Sequence, residues 1–361
     1  MNPNGGLVNV VIPIHDLTRP LQRAVDSLQH SGLTPGTELR ITVVCHGIAS
    51  HDVERILTPH ARSLVQLIEF DDGVASPAGP FMHGIRNSAA EFISLMGSDD
   101  TYEPGAAGAW YKQATRDSLA ALIPPERHAS GTKISTPPIR PWRRGRLDAL
   151  RDRLAYRTAP LGLIRRTTID ELGLNLPTHL HNGSDQLFGL KLWFSGLHMG
   201  YGKGLPHYVV GADANTRVTT AARKISDELR AVAEIFSDPW TLARTLPERR
   251  AIATKSYRVH VVSAVLVRVT SDNWTPGDAN YVSTLLALFR EVAPGFESPL
   301  SLADRRLLDA LEAGNWSAIE LEKHVHARGD FRRLSSWLTR SFSGIVAPDG
   351  PPRILIARRL L

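Results

Sequence analysis

A mostly parallel α/β sheet over the first part of the chain, followed by a helical region, is the architecture this 361-residue sequence predicts. Three observations carry that reading. Apolar, β-branched runs alternate with amphipathic stretches at intervals of roughly 25–30 residues between Val8 and Met96. The strand-like runs are continuously apolar, the pattern of strands buried on both faces. From about Thr219 onward the strand signal gives way to successive helical periodicities.

Val8 to Ile14 reads as a first buried strand, with Pro13 near its end. Pro20 to Leu28 follows as a helix, with Leu21, Val25 and Leu28 on one face. Leu39 to Cys45 is a second strand, His51 to Leu57 a second helix and Leu64 to Phe70 a third strand. A helix over Gly84 to Glu91 leads into a fourth strand, Phe92 to Met96. The prolines at 124, 125, 137, 138 and 141 disfavour regular structure between Asp117 and Arg157, so this stretch is expected to be a functional loop region. Order returns at Leu161 to Ile164, a helix over Thr168 to Leu172 and another over Asp185 to Phe194. Amphipathic helices are then expected over Ala221–Phe236, Glu248–Val269, Ala279–Val292, Leu302–Ala313 and Ala318–Ala327. The boundary falls near residue 217, giving domains 1–217 and 218–361.

Composition narrows the function classes. With 42% hydrophobic and 22% charged residues the chain is an ordinary globular protein. No apolar run reaches the roughly 18 residues of a membrane span, and the N-terminus shows no secretory signal. Cys45 is the single cysteine, which excludes an internal disulfide framework and predicts a cytoplasmic protein. A net charge of +6, with arginines clustered between residues 140 and 166, suits phosphorylated substrates or anionic lipid. The aromatic platform or reader helix of a nucleic-acid binder is missing, so no nucleic-acid partner is expected.

The chemistry-bearing segment is Gly97-Ser98-Asp99-Asp100, directly after the fourth strand. Two carboxylates at the carboxyl edge of a parallel sheet lie where open α/β sheets bind ligands. Their hard oxygens suit Mg²⁺ or Mn²⁺ holding a diphosphate.

The chain resembles the family 2 glycosyltransferases of the GT-A fold. The family runs Asn-x-Gly-Leu, a short helix, Gly-Glu-Tyr-Ile-x-Phe-Leu and Asp-Ser-Asp-Asp. In the same register stand Met82-His83-Gly84-Ile85, Ala90-Glu91-Phe92-Ile93-Ser94-Leu95-Met96 and Gly97-Ser98-Asp99-Asp100. The opening strand resembles the family's Val-Ile-Ile-Pro-x-Tyr. Downstream, Arg165-Arg166 and Ser184-Asp185-Gln186-Leu187, closing at Gly196, resemble the family's Arg-Arg and Glu-Asp-x-x-Leu segments. The likeness covers roughly residues 7–217.

The resemblance implies a GT-A fold with a helical C-terminal region, and inverting transfer of a sugar from a nucleotide-sugar donor, UDP-sugar favoured, to a saccharide or lipid-linked acceptor. Asp185 is then the general base. Asp99 carries the metal, Mn²⁺ or Mg²⁺, with His207 as a further ligand. The implied donor site comprises Pro13, His15, His46, Arg86, Ser98, Asp99 and Asp100. Trp142, Arg143 and Ser184 are the implied acceptor contacts. Asp213 and Arg217 match a family segment that closes over the donor. Five positions depart from the pattern: Gly97 replaces the first Asp of Asp-x-Asp, Cys45-His46-Gly47 replaces Asp-Asp-Gly, Ser184 replaces Glu and Met82 replaces Asn. They motivate the alternative of a catalytically degenerate subunit that partners another enzyme. A sugar-phosphate nucleotidyltransferase would need a Gly-rich basic loop after the first strand, and His15 to Pro20 is not one. The mixed basic and apolar stretch Arg353 to Leu361 is compatible with peripheral docking on the inner membrane face.

Overall fold

The computed structural model describes residues 6–142, 146–211 and 223–360. It divides into two compact units, the first taking in Met1–Thr136, Trp142–Leu147 and Arg157–Ala221, the second Pro137–Pro141, Asp148–Tyr156 and Ala222–Leu361. The boundary expected at residue 217 lies outside the described residues, as do Arg143, Asp213 and Arg217.

In the first unit the order is β1 Val8–Ile14, α1 Leu21–Gln29, β2 Leu39–His46, α2 Ser50–Arg55, α3 Pro59–Leu64, β3 Val65–Phe70, α4 Ala78–Arg86 and β4 Phe92–Leu95. It continues through β5 Thr101–Tyr102, α5 Ala106–Arg116, β6 Ala121–Ile123, β7 Glu126–His128, β8 Lys133–Ile134, β9 Leu163–Arg165, α6 Arg166–Glu171, α7 Ser184–Trp193, β10 Met199–Tyr201 and β11 Tyr208–Val210. A seven-stranded sheet has the order β10-β6-β9-β4-β1-β2-β3, and a four-stranded sheet the order β5-β11-β7-β8. β1 pairs in parallel with β2 and β4, and β2 in parallel with β3. The expected mostly parallel sheet is therefore present. β9 is the exception, running antiparallel between β4 and β6.

β1 occupies the middle of the sheet, which explains its unbroken apolar character. Its one strongly polar residue, Asn9, is buried and accepts a hydrogen bond from the Thr42 hydroxyl at 3.0 Å. Helix α1 covers this core with Leu21, Ala24, Val25 and Leu28, the i, i+3, i+4, i+7 set of one helical face. Helix α4 starts six residues before the expected Gly84 and stops at Arg86. Pro77 at its N-cap and Pro80 in its first turn are tolerated there because those backbone N–H groups have no helical acceptor. Gly84 allows the close approach of α4 to the sheet, since a Cβ at that position would lie 2.3 Å from Val11 Cγ1. The sole cysteine, Cys45, is buried in β2, and burial pushes its thiol up to about 11. It packs as a small hydrophobe.

The stretch read as a loop region between Asp117 and Arg157 contains β6, β7 and β8, and part of it clusters with the C-terminal helices. Arg140, in that part, makes a two-pronged pair with the fully buried Asp152, both bonds at 2.7 Å.

The second unit contains α8 Ile225–Glu228, α9 Arg230–Ser237, α10 Pro239–Leu242, α11 Leu246–Lys255, α12 Val262–Thr270, α13 Pro276–Val292, α14 Leu302–Ala313, α15 Ala318–Gly329, α16 Phe342–Val346 and α17 Pro351–Leu360. The run expected as one helix over Glu248–Val269 is interrupted by a π-helical turn, Ser256–Val261, between α11 and α12. That turn carries the buried Arg258, whose guanidinium donates to the Asp349 and Pro299 carbonyls, each at 2.8 Å. Asp304, also buried, is held by Arg328 Nε at 2.7 Å.

Candidate active site

The carboxyl ends of β1 to β4 open on one cleft of about 630 Å³ in the first unit. β1 lies between β4 and β2, so the winding of the sheet reverses direction at its edge. Such a switch point leaves a crevice at the strand ends, the usual ligand position in this architecture. Pro13, His15 and Arg19 enter the cleft from β1 and the loop after it, and His46 from the end of β2. Asp71 and the 73–77 turn follow β3, and Gly97 to Asp100 follow β4.

The two aspartates have different environments. Asp99 is 8% exposed, and its Oδ1 accepts a hydrogen bond from Arg19 Nη2 at 2.6 Å. Arg19 Nε donates to Ser98 Oγ at 2.5 Å, and Arg23 Nη2 to the Asp99 carbonyl at 2.9 Å. Asp100 is tied by three donors: the Tyr208 hydroxyl at 2.5 Å and Gly97 N–H at 3.2 Å to Oδ2, and Gly211 N–H at 2.8 Å to Oδ1. Burial raises the Asp100 carboxyl above the usual range, and the Asp99 charge adds to the rise, while the three hydrogen bonds oppose it. Asp100 thus lines the cleft while both of its oxygens accept hydrogen bonds from the surrounding chain.

Two glycines are fixed by this arrangement. A Cβ at Gly97 would lie 2.7 Å from Asp100 Oδ2. At Gly211 a Cβ would lie 2.0 Å from the Asp99 carbonyl oxygen, so the backbone itself blocks any side chain. The absence of a side chain at position 97 is thus linked to where Asp100 sits.

On the β2–β3 side, His46 Nε2 is 2.9 Å from Asp72 Oδ1, and the His46 ring stacks near Phe70 at 5.8 Å. Burial works to raise the Asp72 carboxyl, but the hydrogen bonds from His46 and Val74 N–H outweigh it and hold the group below the usual range. His46, Asp71 and Asp72 present ligand atoms within 4.8 Å of one another. His15 is shifted down, first by burial and then by the Arg19 charge, which favours its neutral form.

Of the residues singled out in the sequence, Pro13, His15, His46, Ser98, Asp99 and Asp100 line this one cleft. Asp185 is half-buried in the first turn of α7 and is not a lining residue. The chain just before α7 is nevertheless tied to the cleft wall, since Ser76 Oγ donates to the Leu180 carbonyl at 2.7 Å. Ser184, beside Asp185, is buried, and Trp142 is 85% exposed. His207 is held elsewhere: its Nδ1 is 2.9 Å from Glu103 Oε2, and Glu103 also pairs with Arg127 at 2.6 Å. Burial would raise Glu103, but these partners together bring it down to about 2. Arg86 approaches Asn175 at 3.4 Å and does not line the cleft. The sequence reading overlooked Arg19, Arg23, Tyr208 and Gly211. Only Arg19 had a local signal, a cation five residues beyond the first strand.

No protein-family model matches the chain, and no curated protein matches it in sequence. In three dimensions it is similar to solved structures of TarS, a GT-A-like glycosyltransferase. The Staphylococcus aureus TarS 1–349 crystal structure in complex with UDP-GlcNAc superposes with a TM-score of 0.72 at 15% identity, over 91% of this chain and 93% of that one. The UDP complex of the same TarS 1–349 gives 0.68 at 14% identity over the same shares. A longer S. aureus TarS structure also gives 0.68 at 14% identity, with 89% of this chain covered and 55% of that one. The likeness is one of fold: a mostly parallel sheet flanked by helices, with a helical C-terminal region.

Proposed function

We propose that this chain is a nucleotide-sugar-dependent glycosyltransferase, with the cleft at the ends of β1 to β4 as its donor site. The observation that carries the reading is the placement of Asp99 at the sheet's switch point, with Asp100 bound into the wall beside it. A UDP-sugar is the favoured donor, on the resemblance and on the UDP-GlcNAc and UDP bound to the TarS structures.

Asp99 and the Ser98 hydroxyl form a hard-oxygen donor set that fits Mg²⁺ or Mn²⁺. Such ions take one or two carboxylates and fill the remaining positions from phosphates and water. Asp100, tied by three hydrogen bonds, holds the loop that presents this pair. When bound, the ion would neutralise charge growing on the departing diphosphate. Arg19, bonded to both Ser98 and Asp99, orients that pair and contributes positive charge on the same side. His15 and His46 line the donor end in this proposal. Asp185 is assigned the role of base for the acceptor hydroxyl, at the start of a helix that favours an anion. His207 and Arg86 lie outside the proposed set. Trp142 and Ser184 are retained as acceptor-side candidates.

Calorimetry with UDP, GDP, dTDP and CDP, each with and without Mn²⁺, tests the assignment. One nucleotide is expected to bind in a metal-dependent manner. Asp99→Asn should weaken that binding by about 10-fold or more, whereas Asp185→Asn should bind normally and lose turnover. If wild type binds none of the four, the degenerate-subunit reading takes its place.

A further inference from the structure

The second unit carries a surface that the proposed chemistry does not use. Of the thirteen large apolar side chains exposed among the described residues, seven fall between residues 331 and 360. Phe331, Leu334 and Leu338 belong to the segment after α15, and Leu334 is 75% exposed. Phe342 and Val346, four residues apart on α16, are 77% and 47% exposed. Ile356 and Leu360, likewise four apart on α17, are 50% and 48% exposed. Pro351, Ile354 and Ala357 are the buried face of α17, so its outer face presents Ile356 and Leu360 with Arg353 and Arg359.

Charge on this segment is one-sided. Residues 331–360 include six arginines and one carboxylate, Asp349, which is buried. Arg332 has 99% of its side chain exposed. Arg332 and Arg333 share Asp330, the residue before the segment, at 4.0 and 3.1 Å, and Arg340 pairs with Asp309 of α14 at 2.6 Å, yet Arg333 and Arg340 remain 62% and 59% exposed. Arg332, Arg359 and the Phe331–Trp337 ring pair also line one shallow cleft, which brings the start of the segment to the end of α17.

We propose that this face of the second unit docks peripherally on an anionic lipid surface. Exposed aliphatic and aromatic side chains interleaved with arginines are what an interfacial segment needs: apolar groups enter the acyl boundary and cations meet the headgroups. Arginine stems lie along apolar surface while their heads stay with phosphate. Nucleic acid would use the cations but leave Leu334, Val346, Ile356 and Leu360 without a role. No described helix is long and apolar enough to cross a membrane.

Vesicle flotation of the full chain, with phosphatidylcholine vesicles containing or lacking phosphatidylglycerol, tests this without any nucleotide sugar, so the outcome is separate from that of the glycosyltransferase reading. Wild type is expected to float with the anionic vesicles only, and less so as salt is raised. Arg332→Gln with Arg333→Gln should weaken binding about 30-fold. Leu334→Ser with Phe342→Ser, both on exposed side chains, should weaken it about 100-fold or more at unchanged charge. Wild type remaining in the unbound fraction overturns the proposal. So does a wild-type dimer that the apolar double variant converts to monomer, because the face would then belong to a second copy.

Discussion

Replacing Tyr208 with Phe isolates one bond of the aspartate loop. The ring is fully buried and packs 5.6 Å from Tyr102, so the substitution keeps its volume and removes only the hydroxyl. That hydroxyl donates to Asp100 Oδ2 at 2.5 Å and accepts from Gly97 N–H at 3.2 Å. A hydrogen bond to a charged group contributes about 1.5–3 kcal/mol, and Gly97 N–H keeps Asp100 Oδ2 as an acceptor in the variant. The expected loss of stability is therefore about 1.5–3 kcal/mol at a pH where Asp100 is ionised, or a fall in Tm of roughly 3–12 °C for a unit of this size. The pH dependence has a definite sign. Removing the donor raises the folded Asp100 pKa further, so the difference between variant and wild type is full above that pKa. It diminishes as pH falls through it and the carboxyl is protonated in both. Urea unfolding of both proteins across acid to neutral pH measures the difference directly. Equal stability at neutral pH, or a difference that does not shrink with acidification, would refute the reasoning.

Three further outcomes follow from the same geometry. Gly97→Asp should lower stability and nucleotide binding, because its Cβ would crowd Asp100 Oδ2; thermal melts and calorimetry read both. Arg157→Met should destabilise the first unit by about 3–5 kcal/mol in alkaline buffer, since it leaves Glu126 buried without its partner. Burial pushes Glu126 up to about 7 against the pull of Arg157, and losing Arg157 raises it further, so that cost should fade as pH falls from the alkaline range to about 7 and be absent below, visible in denaturant unfolding at two pH values. Asp304→Ala should cost about 3–5 kcal/mol in the second unit, because Arg328 and Arg258 lose their shared carboxylate; loss of helical circular dichroism at lower urea reports it.

The elements read best from the sequence are those whose signal is local. β1 and β2 were placed within a residue or two because strands paired on both sides are apolar almost throughout, and the edge strand β3 by a short apolar run broken only by Gln66 and Glu69. β6, β7 and β8 were not seen: at two or three residues each they are too short for any period, and nearby prolines read as breakers. The start of α4 was missed because Pro77 and Pro80 sit in the one turn where proline is harmless. The π turn inside the 248–269 helix leaves the apolar periodicity almost intact and so has no sequence mark. At the site, the carboxylates declared themselves by following a buried strand. Their partners Tyr208 and Gly211 did not, because pairing across more than a hundred residues is decided by topology.

That long separation bears on how the protein comes into being. Asp100 meets Tyr208 and Gly211 across 108 and 111 positions, and the N–H of Gly211 is among the last described backbone groups of the first unit. A ribosome that has released residues up to β5 has delivered both aspartates but none of the strand that holds Asp100. Closing so distant a contact is entropically slow. For about half of the first unit's synthesis Asp100 therefore lacks its Tyr208 and Gly211 donors, while Arg19 and Arg23 are already available to Asp99, and the cleft is completed only when β11 emerges and joins β5 and β7.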